Sequence, residues 1–317
     1  MNIAPIFSVV APIFNEIGNL PEFYRRVKES LDQTGEPWEL LLVDDGSTDG
    51  STEKIRALAA EDERIKPVIF ARNFGHQLAV TAGMDYANGQ AVVIIDSDLQ
   101  DPPEVILEMI AKWREGYEVV YAVRSEREGE TWFKLFTASL FYRVIYRITD
   151  VNIPMDTGDF RLLDHKVVAV MRQMRERHRF LRGMSVWVGF KQTGVQYKRA
   201  ARFSGTTKYP FKKMLKFASD AITSFSYFPL QLATYLGFFA AGLSILAIPV
   251  VIALRVLGSE TFLGQASTLI AVLFLGGVQL ISLGILGEYI GRLYDQAKGR
   301  PLYIVREAPS KPQDSPQ

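Results

Sequence analysis

From Ile6 to Val123, short aliphatic runs alternate with longer stretches whose apolar positions recur at helical spacing. Ile6–Ala11 (IFSVVA), Glu39–Val43 (ELLLV), Lys66–Phe70, Ala91–Ile95 and Glu118–Val123 read as strands. Asn19–Gln33 sets Leu20, Phe23, Val27 and Leu31 on one side of a helix, with charges between them. Ser51–Asp62 (with Ser47 or Thr48 as its cap), His76–Ala87 and Glu104–Arg114 complete the helices. Strands apolar on both faces, separated by amphipathic helices, predict an α/β domain. Its sheet is mostly parallel and covered on both sides.

The pattern changes near residue 220. No charged residue occurs between Asp220 and Arg255, and none between Glu260 and Glu288. Each run exceeds the roughly 20 apolar residues that cross a bilayer. One such run would pass for a buried core helix, but two in tandem read as transmembrane helices over Pro229–Leu254 and Ser267–Tyr289. Trp132–Thr149 and Pro210–Tyr227 mix aromatic with basic residues, Lys212, Lys213 and Lys216 among them, and read as interfacial amphipathic helices. The plainer alternative is a domain helix packed on the core. The division that follows is 1–209 for the sheet domain, 210–228 for the interfacial helix, 229–292 for the transmembrane hairpin and 293–317 for a tail. The final SKPQDSPQ reads as disordered.

Orientation follows the basic residues. Residues 199–216 hold Arg199, Arg202, Lys208, Lys212, Lys213 and Lys216 without an acid. Arg292, Lys298, Arg300 and Arg306 follow the second run, while Gly258–Ala266 has no basic residue. Both flanks are expected in the cytoplasm, with a short external hairpin. Gly287 and Gly291 form a GxxxG that permits a homo-oligomer.

Composition narrows the chemistry. A net charge of +1 gives no global field toward nucleic acid. The absence of cysteine excludes disulfides and thiolate metal sites, and His76, His165 and His178 are too scattered for zinc. Any metal is therefore held by oxygen. MNIAPIFSVVAPIFNE lacks a basic start and is broken by Pro5 and Pro12, unlike a signal peptide.

Parallel sheets bind ligands at the carboxyl ends of their strands. Polar residues gather there: Asn15 and Glu16, Asp44 and Asp45, Arg72 and Asn73, Asp96 and Asp98, then Arg124. Asp96 and Asp98 stand at i, i+2 just past the aliphatic VVII, so alternation turns both to one side. Two hard anionic ligands with further positions open suit Mg²⁺ or Mn²⁺. Such a metal stabilises a pyrophosphate leaving group. The plainer reading is a helix-capping turn; Asp101-Pro-Pro-Glu is a good helix start, so Asp101 is expected to cap while the other two bind metal.

VVAPIFNEIGNL, LLVDDGSTDGS, ARNFGH and IIDSDLQDPP, in that order and spacing, resemble the nucleotide-sugar domain of family-2 glycosyltransferases with the GT-A Rossmann-like fold. DTGDFRLL (156–163), FLRG (180–183) and RFSGTTKYPFKKM (202–214), followed by two apolar runs, are similar to the polyprenyl-phosphate glycosyltransferases. These include the dolichyl-phosphate mannose synthases and, nearer still, the bacterial bactoprenol glucosyltransferases. The likeness extends to about residue 306.

The resemblance implies roles. Pro12, Asn15, Glu16, Asp44 and Asp45 would hold the nucleoside; which aspartate faces the base stays open, since neighbouring strand-end side chains point oppositely. Asn73 would sit near base or sugar, and Asp96, Asp98 and Gln100 would hold the metal. Asp156 and Asp159 fall where relatives place groups facing sugar or acceptor. Arg124, Arg202 and Lys208 would answer phosphates, the plainer alternative being solvated surface charge.

The implied reaction moves a hexose from a UDP-sugar to undecaprenyl phosphate on the cytoplasmic face of the bacterial inner membrane. Glucose is favoured by overall likeness, with mannose, aminoarabinose and N-acetyl sugars as alternatives. A flippase and a downstream transferase are the further partners implied. A lipid monophosphate is already largely anionic at neutral pH, so Asp159 is expected to orient rather than to act as a base. A processive polysaccharide synthase would carry Q-x-x-R-W and more spans, but Gln173 is followed by MRERH. A non-catalytic scaffold has no use for Asp96, Asp98 and Glu16, and two spans make too small a path for a flippase.

Overall fold

The computed structural model describes residues 4–125, 154, 157–200, 226–256 and 265–312. Trp132–Thr149, residues 210–225, Asp156, Arg202 and Lys208 lie outside them.

Strands that are apolar on both faces can only be buried between two layers. β1 (Phe7–Ile13), β2 (Trp38–Asp44), β3 (Ile65–Phe70) and β4 (Ala91–Ile94) do this, pairing in parallel in the order β3-β2-β1-β4. The crossovers run through α1 (Leu20–Asp32), α2 (Ser51–Glu61) and α3 (His76–Tyr86). Alternation sorts the strand side chains. Val9, Ala11, Leu40, Leu42 and Val93 pack with α1, α2 and α4 (Val105–Arg114) on one face. Val10, Leu41, Val43, Val92 and Ile94 meet α3 on the other. Gly83 sets how closely α3 approaches, because a Cβ there would stand 2.0 Å from Val10 Cγ1.

Beyond β4 the directions mix. β5 (Val119–Arg124) is not the neighbour of β4; β6 (Thr157–Asp164) lies between them, antiparallel to both. α5 (His165–Gln173) and α6 (Leu181–Trp187) then lead to β7 (Gln192–Tyr197), parallel to β5 at the edge. The full order is β7-β5-β6-β4-β1-β2-β3, with a short strand at the far edge.

α7 (Phe228–Val256) and α8 (Gln265–Ala297) pack on each other. Their stretches Phe228–Val250 and Ile270–Ala297 are long and apolar enough to cross a membrane, and only 11% and 0% of their most apolar parts is buried. The core helix of a soluble protein would be mostly covered; apolar helices left this bare fit membrane anchoring. α8 continues two turns past the expected end at Tyr289.

The chain then returns to the sheet. β8 (Val305–Glu307) pairs antiparallel with β3. Tyr303 stacks on Phe70 at 5.2 Å and 12°, and Arg56 pairs with Glu307 at 2.6 Å. Residues 303–307 thus belong to the sheet domain rather than to a separate tail from 293. The reason is the edge of β3, whose unpaired backbone groups and Phe70 ring gain a cover.

Candidate active site

The ends of β1 and β2 are tied to each other before any ligand arrives. Asn15 sits in the left-handed region, φ 55, which short polar side chains tolerate. Its backbone N–H donates to Ser47 Oγ at 3.0 Å, and its Oδ1 accepts from the Thr48 N–H at 2.8 Å. Glu16 N–H donates to Ser51 Oγ at 3.1 Å, while Glu16 Oε2 accepts from Asn19 at 2.5 Å. Ser47 and Thr48 are thereby spent on this junction. They do not cap α2, whose N-cap is Gly50. The residue that reaches the first turn of α2 is Asp49, which accepts from the Ser51 N–H at 3.0 Å.

Asp44 and Asp45 are both buried and look opposite ways. Asp44 closes its own turn, accepting from the Ser47 N–H at 3.0 Å and the Thr52 hydroxyl at 2.5 Å. Asp45 reaches the loop after β3, accepting from Phe74 N–H at 2.6 Å and Gly75 N–H at 2.9 Å. Burial raises its carboxyl pKa against those two backbone bonds. Asn73 Nδ2 donates to the Asp45 carbonyl at 3.0 Å. Gly46, φ +72, lets the turn lie against this loop, since a Cβ would fall 2.6 Å from Asn73 N. Pro12 lies inside β1, and its carbonyl accepts from Ser97 Oγ at 3.3 Å.

The carboxylates after β4 face β6 and the start of α3. Asp96 is part exposed, yet its Oδ1 is buried and has no hydrogen-bond partner among the described residues. His76 Nε2 stands 3.7 Å from that oxygen and 3.1 Å from Asp159 Oδ2. Asp159, in β6, also accepts from Gln77 Nε2 at 3.1 Å and Arg182 Nε at 2.7 Å. Burial disfavours charge on His76, but Asp96 and Asp159 outweigh it and push its pKa up to about 9. Burial pushes the Asp96 carboxyl up to about 6 against the pull of His76, with Asp101, Asp159 and Asp98 adding to the rise. Burial works the same way on Asp159, yet Arg182 and His76 hold it well below the usual carboxylate range. Negative charge is therefore matched at Asp159 and under-compensated at Asp96.

Asp98 Oδ1 accepts from the Gln100 N–H at 3.1 Å, across Leu99 at φ 60. Gln100 Oε1 accepts from Arg199 at 2.8 Å, and its carbonyl from the Ala200 N–H at 3.0 Å. Asp101 does not cap α4. It is buried and accepts from the Tyr197 hydroxyl, and Arg124 Nε donates to that same hydroxyl at 3.3 Å. Arg124 thus braces the end of β7.

Among the described residues no three His, Asp or Glu side chains form a closed metal cage. Two strand-end carboxylates, one with a buried bare oxygen, are still a fitting donor set for a small divalent cation that takes its remaining ligands from phosphates and water. Of the predicted residues, Asp96 and Asp159 meet through His76, and Asn15, Asp44, Asp45 and Asn73 form one wall. His76, Gln77, Arg182 and Tyr197 complete the site and were not singled out, and Asp101, expected only as a cap, joins them through Tyr197. Their signal was present only inside ARNFGH, FLRG and the DPP turn.

A parallel-centred α/β sheet with acidic groups at its carboxyl edge is the layout of a nucleotide-handling enzyme. Residues 8–171 match Glycosyl transferase family 2, and the chain belongs to that family. It is 54% identical over 302 residues to the uncharacterized glycosyltransferase YkcC of Bacillus subtilis (strain 168), covering 95% of this chain and 94% of the relative. It is 42% identical over 304 residues to the bactoprenol glucosyl transferase of Shigella phage SfV, covering 96% of this chain and 99% of the relative. The protein is a glycosyltransferase with a GT-A-like domain, as its motifs led one to expect. Among solved structures, a mannosyltransferase from Pyrobaculum calidifontis in complex with GDP-Man and Mn²⁺ aligns with a TM-score of 0.45 at 18% identity, over 89% of this chain and 88% of that one.

Proposed function

We propose that the protein transfers glucose from UDP-glucose to undecaprenyl phosphate, inverting the anomeric carbon, with Mg²⁺ or Mn²⁺ held by Asp96 and Asp98. The observation that carries the metal is the buried Oδ1 of Asp96, without a hydrogen bond among the described residues, followed two positions on by a second strand-end carboxylate. The sugar and acceptor rest on full-length relatives named bactoprenol glucosyl transferase and on two bare apolar helices. When bound, the cation would offset the charge that builds on the departing diphosphate. Gln100 would join it only by releasing Arg199.

The remaining work falls to the chain. The cross-tied wall of Pro12, Asn15, Glu16, Asp44, Asp45 and Asn73 shapes the nucleoside pocket. Arg124, together with Arg202 and Lys208, which lie outside the described residues, would answer the phosphates. A lipid phosphate oxygen attacks the anomeric carbon, and the bond to the UDP oxygen breaks with its electron pair leaving on UDP. No proton need move, because an anionic oxygen is both consumed and released. Asp159 is a positioning residue: with three donors on it and a depressed pKa, it fixes His76 and Arg182 rather than taking a proton. By the basic-residue asymmetry, the sheet domain and both ends face the cytoplasm. The product would then be flipped by another protein and used in envelope or O-antigen glycosylation.

The test is transfer of labelled glucose to a short-chain polyprenyl phosphate, with and without chelator. Label must appear in the organic phase and disappear with chelator. Transfer of mannose, aminoarabinose or an N-acetyl sugar instead would correct the donor, and no transfer from any of them would refute the reading.

A further inference from the structure

A second charged hollow lies away from the carboxylates. A cavity of about 280 Å³ opens where the end of α8 meets the loop after α5, lined by Arg175, Arg177, Arg300, Lys311, Gln296 and Tyr303 among others and, among the described residues, by no carboxylate. Its parts are held in place. Asp85, 1% exposed, accepts from Arg175 at 2.8 Å and from the Tyr303 hydroxyl at 2.6 Å. The Arg177 N–H donates to Gln296 Oε1 at 3.1 Å, Gln296 Nε2 donates to the Arg175 carbonyl at 3.1 Å, and Arg177 Nη2 donates to the Arg300 carbonyl. Asp85 answers the charge of Arg175. Among the described residues neither Arg177 nor Arg300 is ion-paired with a carboxylate, and nearby Asp295 is bonded to Lys298 at 2.8 Å.

With Asp85 answering Arg175, the guanidinium groups of Arg177 and Arg300 leave positive charge on the hollow that an entering anion would offset. Guanidinium groups favour tetrahedral phosphate oxygens, which accept several charge-assisted bonds at once. The hollow is separate from the active site, since Asp85 is nine residues along α3 from His76, about 14 Å of helix. Gln296 is eight residues past Glu288, about 12 Å beyond the first charge after the apolar run. Lipid headgroups and dissolved anions both reach that height. We propose that this hollow binds a phosphate group, mono- or diester, and so clamps the end of α8 to the sheet domain. This rests on α8 being a membrane span, but not on the sugar transferred.

Full-length protein in detergent tests both sources. Retention of phosphatidylglycerol over phosphatidylcholine, read by native mass spectrometry, reports a headgroup. Broadening of the inorganic phosphate ³¹P resonance reports a dissolved anion. Arg177→Gln/Arg300→Gln is expected to weaken whichever binding occurs roughly tenfold. Loss in the lipid measurement alone assigns a headgroup, and loss in the phosphate measurement alone a soluble ligand. Wild-type protein that retains neither ligand, or a variant that binds as wild type does, overturns the proposal. Should the double variant melt early, Lys311→Gln, exposed and on the lining, gives the same reading through a smaller loss. Glucose transfer by the double variant is expected within about twofold of wild type. Wild-type protein that binds phosphate here yet transfers no sugar from any donor would refute the proposed function and leave this inference standing.

Discussion

Asp159 shows how neighbours decide what a carboxylate can do. His76, Gln77 and Arg182 occupy it, and its pKa is held low, so it has little basicity to offer. Asp159→Asn is expected to lower kcat about a hundredfold by loosening His76 and Arg182. Its pH–rate profile should parallel that of wild type; a rate climbing steeply with pH, as if hydroxide replaced a missing base, would make Asp159 the base instead. Asp96→Ala and Asp98→Ala are each expected to cost a factor on the order of 10²–10³ in kcat, with melting temperature preserved, because both lie at a part-exposed strand end. Asp96 and Asp98 stood out as acids after an aliphatic strand, whereas Asp159 came only through the resemblance of DTGDFRLL to related enzymes. His76 did not stand out, since one histidine at a helix start has many uses, and only the fold brings β6 against α3. Asp101 was misread because a Pro-Pro turn advertises a cap, whereas its actual partner, Tyr197, is 96 residues away.

Elements were legible where their period was clean. β1 to β5 and α1 to α4 fall within a few residues of their expected bounds, since fully buried strands and one-faced helices leave plain patterns. β6 was missed because Asp159 and Arg161 interrupt its aliphatic run; both are buried polar groups satisfied by other elements. β8 has only three residues, too few for any period to show. Two substitutions test the packing between elements. Gly83→Ala puts a methyl 2.0 Å from Val10 Cγ1 and is expected to destabilise by about 1–3 kcal/mol, read as a lower melting temperature. Tyr303→Phe keeps the stack on Phe70 but leaves buried Asp85 with one donor fewer; a loss of about 1–2 kcal/mol is expected in denaturant melts. No change in either melt would mean that these contacts do not hold the sheet edge.

At the scale of the whole molecule, two bare apolar helices interrupt a sheet domain whose last strand lies on the far side of them. The chain leaves the sheet after β7, passes through α7 and α8, and comes back to cover β3. The apolar helix pair is thereby followed by a segment that is fixed on the sheet through β8 and Tyr303. Such an arrangement suits an acceptor that stays in the membrane while its donor comes from solution. The measurement that bears most directly on this is transfer of radiolabelled glucose from UDP-glucose to polyprenyl phosphate by purified full-length protein, followed by organic extraction. Chelator-sensitive label in the lipid phase, abolished by Asp96→Ala together with Asp98→Ala, is the predicted result. Undiminished labelling by that double variant, or by wild-type protein in excess chelator, would contradict the account.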